Sequence, residues 1–422
     1  MSRILFIFIF FFSLFSITIV TAQISTTSPY SRFGLGDINY GSLPEFNSLG
    51  GAVVAHSNPF TVNPSNPASY TSIGPNSFLL STGGWHQTTS IMNNTSTQIA
   101  NNNGFSHFVL GFPLNKNLAA SLGMLPFSSI GYSMSTGVID ANDTTHNAIA
   151  NYYGDGGISK IYFGGAYQVT DNLSLGLNAS FLFGGLNRRK SLVYNNEDFF
   201  NSRSNSKINL KGYYYEFGLL YSKELTNGTF SFGLTTNNNS KIRGKKTELI
   251  ESFEFSGILE IPKDTFVNSV EWGDIILPKH LKAGIEYKNK KLVFLAQYSL
   301  QNWSEYSMFS ESDDLVDTES YSAGLRYTPD YNSINSYLKR LDYNVGISFR
   351  NIPLQFENNQ LEELEFTFGL GVPVKKSRTK YNLFCAIGQR GTTENNLLKE
   401  KFIRLGLSVN FDGIWFVKRK YD

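Results

Sequence analysis

Steps of two organise most of this chain. In "DYNVGISFR", Tyr343, Val345, Ile347 and Phe349 fall on one side, while Asn344, Gly346, Ser348 and Arg350 fall on the other. "NLSLGLNASFLF" repeats the pattern with Leu173, Leu175, Leu177, Ala179, Phe181 and Phe183 on its apolar side. "EFTFGLGVP" sets Phe366, Phe368, Leu370 and Val372 against Thr367, Gly369 and Gly371. Successive side chains of a strand point to opposite faces, so a period of two means β-structure. A soluble sandwich alternates in the same way, and the connections decide between the two architectures. Short turns at Asn115-Lys116-Asn117, Thr170-Asp171-Asn172, Leu225-Thr226-Asn227 and Lys288-Asn289-Lys290 alternate with long polar stretches at 184–207, 237–278 and 300–319. Short turns at one end and long loops at the other describe a transmembrane barrel.

The strands are expected near 77–87, 117–126, 172–184, 228–237, 291–301, 341–351 and 379–389 in one direction. Their returning partners are expected near 105–113, 158–169, 207–223, 278–288, 319–328, 363–373 and 400–411. That makes about 14 strands, an even number as a bacterial single-chain barrel requires. "TPDYNSINSYLKRLD" then serves as a longer connection at the short-turn end, with room for one helical turn. The alternating stretch 248–261 reads as a hairpin standing above the membrane, and inside the wall it would raise the count to sixteen. Tyr167, Tyr221, Tyr287, Tyr327, Trp303 and Tyr306 lie near strand ends, where an interfacial aromatic girdle is expected.

The N-terminus sets the compartment. Arg3, an apolar run from Ile4 to Ile17 and the small-residue site Val20-Thr21-Ala22 form the pattern of a secretory signal peptide over residues 1–22. No later stretch approaches the roughly 18 apolar residues of a membrane helix. Charged residues are 17% of the chain, below the ~25% of a soluble domain, and the deficit runs its whole length. One continuous architecture therefore fits better than several domains. An outer-membrane location follows, with outer-membrane lipid and the barrel-assembly machinery as partners during biogenesis. The net charge of +2 gives no reason for a nucleic-acid partner.

No catalytic constellation stands out. His56, His86, His107, His146 and His280 are scattered without metal-ligand spacing. Nucleophile-elbow, zinc-protease and phosphate-loop motifs are missing. No enzyme activity, metal or cofactor is expected. Cys385 is the single cysteine and has no internal disulfide partner.

The chain end carries two further signals. "RLGLSVNF", with Gly406, Val409 and Phe411, resembles the terminal-strand signal that the barrel-assembly machinery recognises. The barrel is therefore expected over 77–411, and 412–422 as a periplasmic extension. Asp412-Gly413 is expected to turn, and Trp415 and Phe416 to offer a docking point for a partner.

Residues 49–73, "LGGAVVAHSNPFTVNPSNPASYTSI", fit neither a strand nor a helix of ordinary length. The small-residue run leading to Asn66-Pro67-Ala68 resembles the hatch signature of the FadL-like family of outer-membrane transporters for long-chain fatty acids and other hydrophobic compounds. The resemblance implies that residues 23–76 plug the barrel lumen. Irregular backbone is tolerated at membrane depth only where protein or water satisfies it. "HSNPFTVNPS" stands where the family usually carries an acidic residue. The resemblance also implies a lateral opening where the third strand kinks. Here Pro126 interrupts "NLAASLGMLPFSSIGYS", so Leu125-Pro126-Phe127 either edges such an opening or marks a strand end before a loop.

Two functional classes remain. One is passage of a hydrophobic ligand through a plugged barrel. The other is a non-transporting barrel subunit of an outer-membrane secretion or assembly complex, as the PorV type within the family implies. The altered hatch and the tail after Phe411 lean toward the second, and the interrupted third strand toward the first. A weaker third class is an adhesive surface barrel that displays 237–278.

Overall fold

The computed structural model describes residues 26–39, 43–138, 147–196, 198–238 and 240–415. The signal-peptide segment and Phe416 lie outside the described residues. A two-residue inner strand, β1 (Asp37–Ile38), precedes the wall. The wall begins with β2 (Ser77–Met92), β3 (Thr97–Pro113), β4 (Leu118–Val138), β5 (Ala148–Gln168), β6 (Leu173–Tyr194), β7 (Asn201–Leu225) and β8 (Gly228–Asn237). A hairpin of β9 (Lys241–Ser256) and β10 (Leu259–Ile276) follows. Then come β11 (His280–Lys288), β12 (Leu292–Gln301), the short β13 (Ser307–Met308) and β14 (Thr318–Tyr327). The wall ends with β15 (Asp342–Phe356), β16 (Asn359–Pro373), β17 (Lys380–Arg390) and β18 (Lys399–Ile414).

Every neighbouring pair is antiparallel, and β18 closes the ring on β2 from Ile414↔Ser77 to Lys399↔Met92. Setting aside β1, β13 and the hairpin leaves a closed barrel of 14 strands. The hairpin stays out of the count because β7 is long enough for two partners. Its lower half pairs with β8, from Leu225↔Gly228 to Glu216↔Asn237. Its upper half pairs with β9, from Lys211↔Arg243 to Asn201↔Phe253. The hairpin therefore continues the wall above the end of β8.

The burial pattern is inside-out relative to a soluble protein. On β16, Phe366, Phe368 and Leu370 are exposed, while Glu363, Glu365 and Thr367 are buried. The same inversion runs round the ring, with Phe294 on β12, Tyr321 and Leu325 on β14 and Leu405 and Leu407 on β18 exposed. Such a belt is the surface a barrel presents to hydrocarbon. Tyr167, Tyr221, Tyr287 and Tyr327 are exposed near the short-turn ends, as a girdle requires. Trp303 and Tyr306 are not part of it. They are buried in an apolar core inside the opposite mouth, with Tyr30, Leu35, Ile130 and Tyr132.

Two expected boundaries change. Stretches read as polar loops, such as 184–207, are largely strand, because the sheet continues beyond the belt where both faces meet water and alternation fades. Asp412-Gly413 does not turn: β18 runs through both, with Gly413 opposite Phe78. Gly406 and Val409 lie in this last strand, Gly406 against the Phe384 ring, and Phe411 is exposed on the belt. Trp415 stacks on Phe78 at 4.0 Å, and its backbone N–H donates to the Asn76 carbonyl at 2.8 Å. The 328–341 connection carries the expected helical turn, Leu338–Arg340.

The N-terminal segment packs against the inward face of the wall, and glycines mark the contacts. A Cβ at Gly176 or Gly218 would overlap Asn66-Pro67-Ala68, one at Gly233 would overlap Val54, and one at Gly324 or Gly346 would overlap Leu49-Gly50. Small residues on both sides let two backbones touch. Replacing Gly218 or Gly346 by Val should cost about 1–3 kcal/mol through overpacking. The expected readout is earlier protease cleavage within 43–76 on heating, with the barrel still closed. Gly137→Val, where nothing lies within 4 Å, should leave the cleavage temperature unchanged.

Candidate functional site: a chamber between two closures

Three short capped turns shape the N-terminal segment. Pro29–Arg32 is a 3-10 turn capped by Ser28, whose Oγ accepts from the Tyr30 N–H. Pro44–Asn47 is a single helical turn with Pro in its first turn. Pro67–Ser72 is a 3-10 turn capped by Asn66, whose Oδ1 accepts from the Ala68 N–H at 3.0 Å. Proline at the start of each turn supplies a preset φ and needs no donor there.

The lower closure is residues 43–76, and wall strands hold it on many sides. Asn66 is fully buried and donates through Nδ2 to the carbonyls of Val54 (2.7 Å) and of Leu219 on β7 (3.1 Å). Gln297 Oε1 on β12 accepts from the Val53 and Val54 N–H groups at 2.9 and 3.0 Å. Tyr70 Oη donates to Asn178 Oδ1 on β6 at 2.9 Å, and Asn178 Nδ2 donates to the Pro64 carbonyl at 3.1 Å. Backbone without regular partners is thereby satisfied by side chains of the wall.

Two buried side-chain pairs fasten the same segment. Glu45 lies 3.1 Å from Arg326 on β14 and accepts from Asn410 Nδ2 on β18 at 2.7 Å. His56 Nδ1 meets Glu286 on β11. Full burial alone would raise the Glu45 carboxyl, but Lys380, Arg326 and His56, together with the Asn410 hydrogen bond, hold it below the ordinary carboxylate range. Neither pair was apparent from residue patterns, since Glu45 and Arg326 are 281 residues apart.

The upper closure is residues 26–38. Tyr30 Oη donates to the Leu398 carbonyl, Ser28 Oγ donates to Glu400 at 2.5 Å, and the Gly34 N–H donates to Asp313 at 2.8 Å. Arg390 on β17 joins Asp37 (2.9 Å) to Glu363 on β16 (2.6 Å). Between the closures is a chamber of about 510 Å³. Its lining mixes Trp85, Phe105, Met124 and Phe402 with Gln297, Gln301, Arg350, Glu365, Arg390 and Arg404.

The chamber reaches a break in the wall. β3 and β4 pair only from Pro113↔Ala119 to Phe108↔Met124, although both strands continue well beyond. Pro126 follows at once, and the β4–β5 register shifts between Pro126 and Ser128. A proline cannot donate to a ladder, and a bulge turns the strand aside. Leu125 is buried in the lower apolar cluster, and Phe127 stacks edge-on with Tyr214 at 5.9 Å. β1 takes up part of the freed edge, with Asp37↔Ser129 and Ile38↔Ser128, and the Asn39 N–H donates to the Phe127 carbonyl at 2.9 Å. The reading in which the strand ends at Pro126 is therefore corrected: β4 runs on to Val138, and the pairing ends instead. Among the described residues no group of three His, Cys, Asp or Glu could hold a metal ion.

Glu45→Gln should leave Arg326 as an unpaired buried cation, a loss of about 3–5 kcal/mol. The expected result is protease access to 43–76 at neutral pH with the barrel intact. Because the Glu45 pKa is depressed on folding, its stabilisation is complete above the ordinary carboxylate range and is lost as pH falls through the lower folded value. Acid titration of protease access should therefore show a step below that range in the parent chain and none in Glu45→Gln.

Comparisons with known proteins agree with this geometry. No curated protein matches the chain. The toluene transporter TodX of P. putida superposes with a TM-score of 0.59 at 15% identity, covering 90% of this chain and 99% of that one. A Pseudomonas aeruginosa FadL homologue gives 0.59 at 11% identity, covering 89% and 99%. The CymD monoaromatic hydrocarbon channel gives 0.57 at 14% identity, covering 90% and 99%. The FadL-like fold is thus shared along nearly the full length. A family model described as BamG matches residues 1–422, and the chain belongs to the BamG family.

Proposed function

We propose that this is an outer-membrane barrel, exported by way of residues 1–22, in which a small molecule passes between the chamber and the bilayer through the β3–β4 gap. The observation that carries the reading is the ladder that stops at Phe108↔Met124 while both strands go on. Open backbone edges are tolerated beside hydrocarbon only where protein or water covers them, and β1 covers part of this one. TodX and CymD, which share the fold, are described as a toluene transporter and a monoaromatic hydrocarbon channel. The lining here sets Arg350, Arg390 and Arg404 in ion pairs with Glu363 and Glu365, beside Trp85 and Phe105. The preferred cargo is accordingly an apolar body bearing an uncharged polar group, with Asn66-Pro67-Ala68 keeping the lower route shut.

A second reading has its own support: a non-transporting barrel subunit of an outer-membrane assembly or secretion complex. Tyr331, Ile334 and Leu338 are exposed on the 328–341 connection, and Ile414 and Trp415 are exposed at the same end. An apolar surface facing the periplasm beyond the lipid belt suits a protein partner, and the family description BamG points toward the barrel-assembly machinery.

Passage is tested by blocking the gap. Ser106 lines the chamber at the β3 edge, so Ser106→Cys in a Cys385→Ser background gives one attachment point for a bulky thiol reagent. Labelling should cut the uptake of an aromatic alcohol probe into proteoliposomes about 10-fold relative to the unlabelled protein. Equal uptake before and after labelling rejects lateral passage. Native mass spectrometry of the gently extracted protein tests the second reading. A stable envelope-protein complex that is lost on Ile334→Asp/Leu338→Asp supports it, and a lone barrel rejects it.

A further inference from the structure

The outward face just above the exposed aromatic residues carries a band of cations without ion-pair partners among the described residues. On β7, Ile208, Leu210 and Tyr214 are buried in the core of the mouth, so the alternate residues Lys207, Asn209, Lys211 and Tyr213 face outward. The same alternation on β9 buries Ile242 and turns Lys241, Arg243 and Lys245 outward. Lys207, Lys211, Lys241 and Arg243 are exposed, and Lys245 is half-buried. Lys211 stands directly opposite Arg243 across the β7–β9 ladder, and Asn209 opposite Lys245. Like charges opposite one another destabilise a sheet. None of the five makes an ion pair with another described residue.

Their neighbours higher on the same face behave differently. Arg189 pairs with Glu260 at 2.7 Å, and Arg203 pairs with Glu251 at 2.5 Å and with Glu260. These two arginines, farther from the lipid, are thus neutralised within the protein, and the five cations next to it are not paired with another described residue. Two carboxylates flank the band. Asp155 accepts a hydrogen bond from Asn187 at 2.5 Å, and Asp274 lies opposite Arg243 without forming an ion pair. Five cations against two carboxylates leave the band positive. Below it, Tyr213 is 65% exposed and packs edge-on with Phe181 at 5.6 Å. Beside it, Trp272 is exposed under Lys245, whose ammonium lies 5.7 Å from the ring centroid.

We infer that this band binds the phosphate-bearing head group of an outer-leaflet lipid. Lys211 is two residues from the belt, so an anion held there keeps its acyl chains against Tyr213 and Phe181. The band extends over β7 and β9, strands about 4.8 Å apart, and over several residues along each. That spread matches a head group carrying two phosphates better than a single small anion. Basic residues beside a membrane each add about the same increment of attraction to anionic lipid, and an occupying anion also removes the Lys211–Arg243 repulsion. The inference rests on the outer-membrane reading but is independent of what crosses the β3–β4 gap.

The test uses the full mature chain in nanodiscs of phosphatidylcholine, with diphosphoryl lipid A or its dephosphorylated form added as the probe. Stable incorporation into plain phosphatidylcholine reports on the membrane reading by itself. The parent should retain diphosphoryl lipid A over the dephosphorylated form. Lys211→Gln/Arg243→Gln/Lys245→Gln should weaken that retention on the order of 100-fold. Lys223→Gln/Lys290→Gln/Lys291→Gln, at the opposite rim, should leave it unchanged. The inference is overturned if the first triple variant retains lipid A as the parent does. It is also overturned if the two lipid forms bind alike, or if inorganic phosphate at matched concentration displaces the lipid.

Discussion

Hydrocarbon offers no hydrogen-bond partners, and the rest of this structure follows from that constraint. A wall strand at membrane depth must find partners on both edges, which the ring achieves by closing β18 on β2 along the full length of both strands. The same solvent inverts the usual distribution of residues. Phe366 and Phe368 are outside, and Glu363 and Glu365 are inside. Once the interior is polar, a segment of irregular backbone can live there, because side chains such as Gln297 and Asn178 supply the bonds that water would.

The closed ring leaves one place where the rule is relaxed. Above Phe108↔Met124 the β3 and β4 edges part, and β1 satisfies some of what β3 does not. The strand that shields the gap thus belongs to the segment that also bonds to Arg390, Glu400 and Leu398 in the upper mouth. Gap and upper closure are linked covalently through residues 26–39. Movement at one end has a direct mechanical route to the other. The lower closure is tied separately, by Glu45 and His56, to β14 and β11.

Strand number was legible in the residue pattern because the belt enforces alternation wherever lipid touches the wall. Strand length was not, since β6 and β7 extend past the belt into water, where Asn187, Lys190, Asn205 and Ser206 satisfy either face equally well. Trp303 and Tyr306 show a related ambiguity: an aromatic near a strand end suits a lipid interface or an internal core, and only the fold distinguishes them. Asn66-Pro67-Ala68 stood out through its resemblance to the FadL-like hatch signature, and the structure makes it the start of a capped turn set against Gly176 and Gly218. Glu45–Arg326 and His56–Glu286 had no such signature. The one available hint was an isolated acid and an isolated histidine in a segment otherwise almost free of charge.

Hydrogen exchange along β4 tests the lateral gap most directly. Amides at 119–124, below the break, should be protected on both edges. Gly131 is held by Ser31, but between 133 and 137 the alternate amides that face away from β5 should exchange orders of magnitude faster than those facing it. Uniform protection through 137 would mean that β3 and β4 pair to the top, and would contradict the chamber's sideways opening.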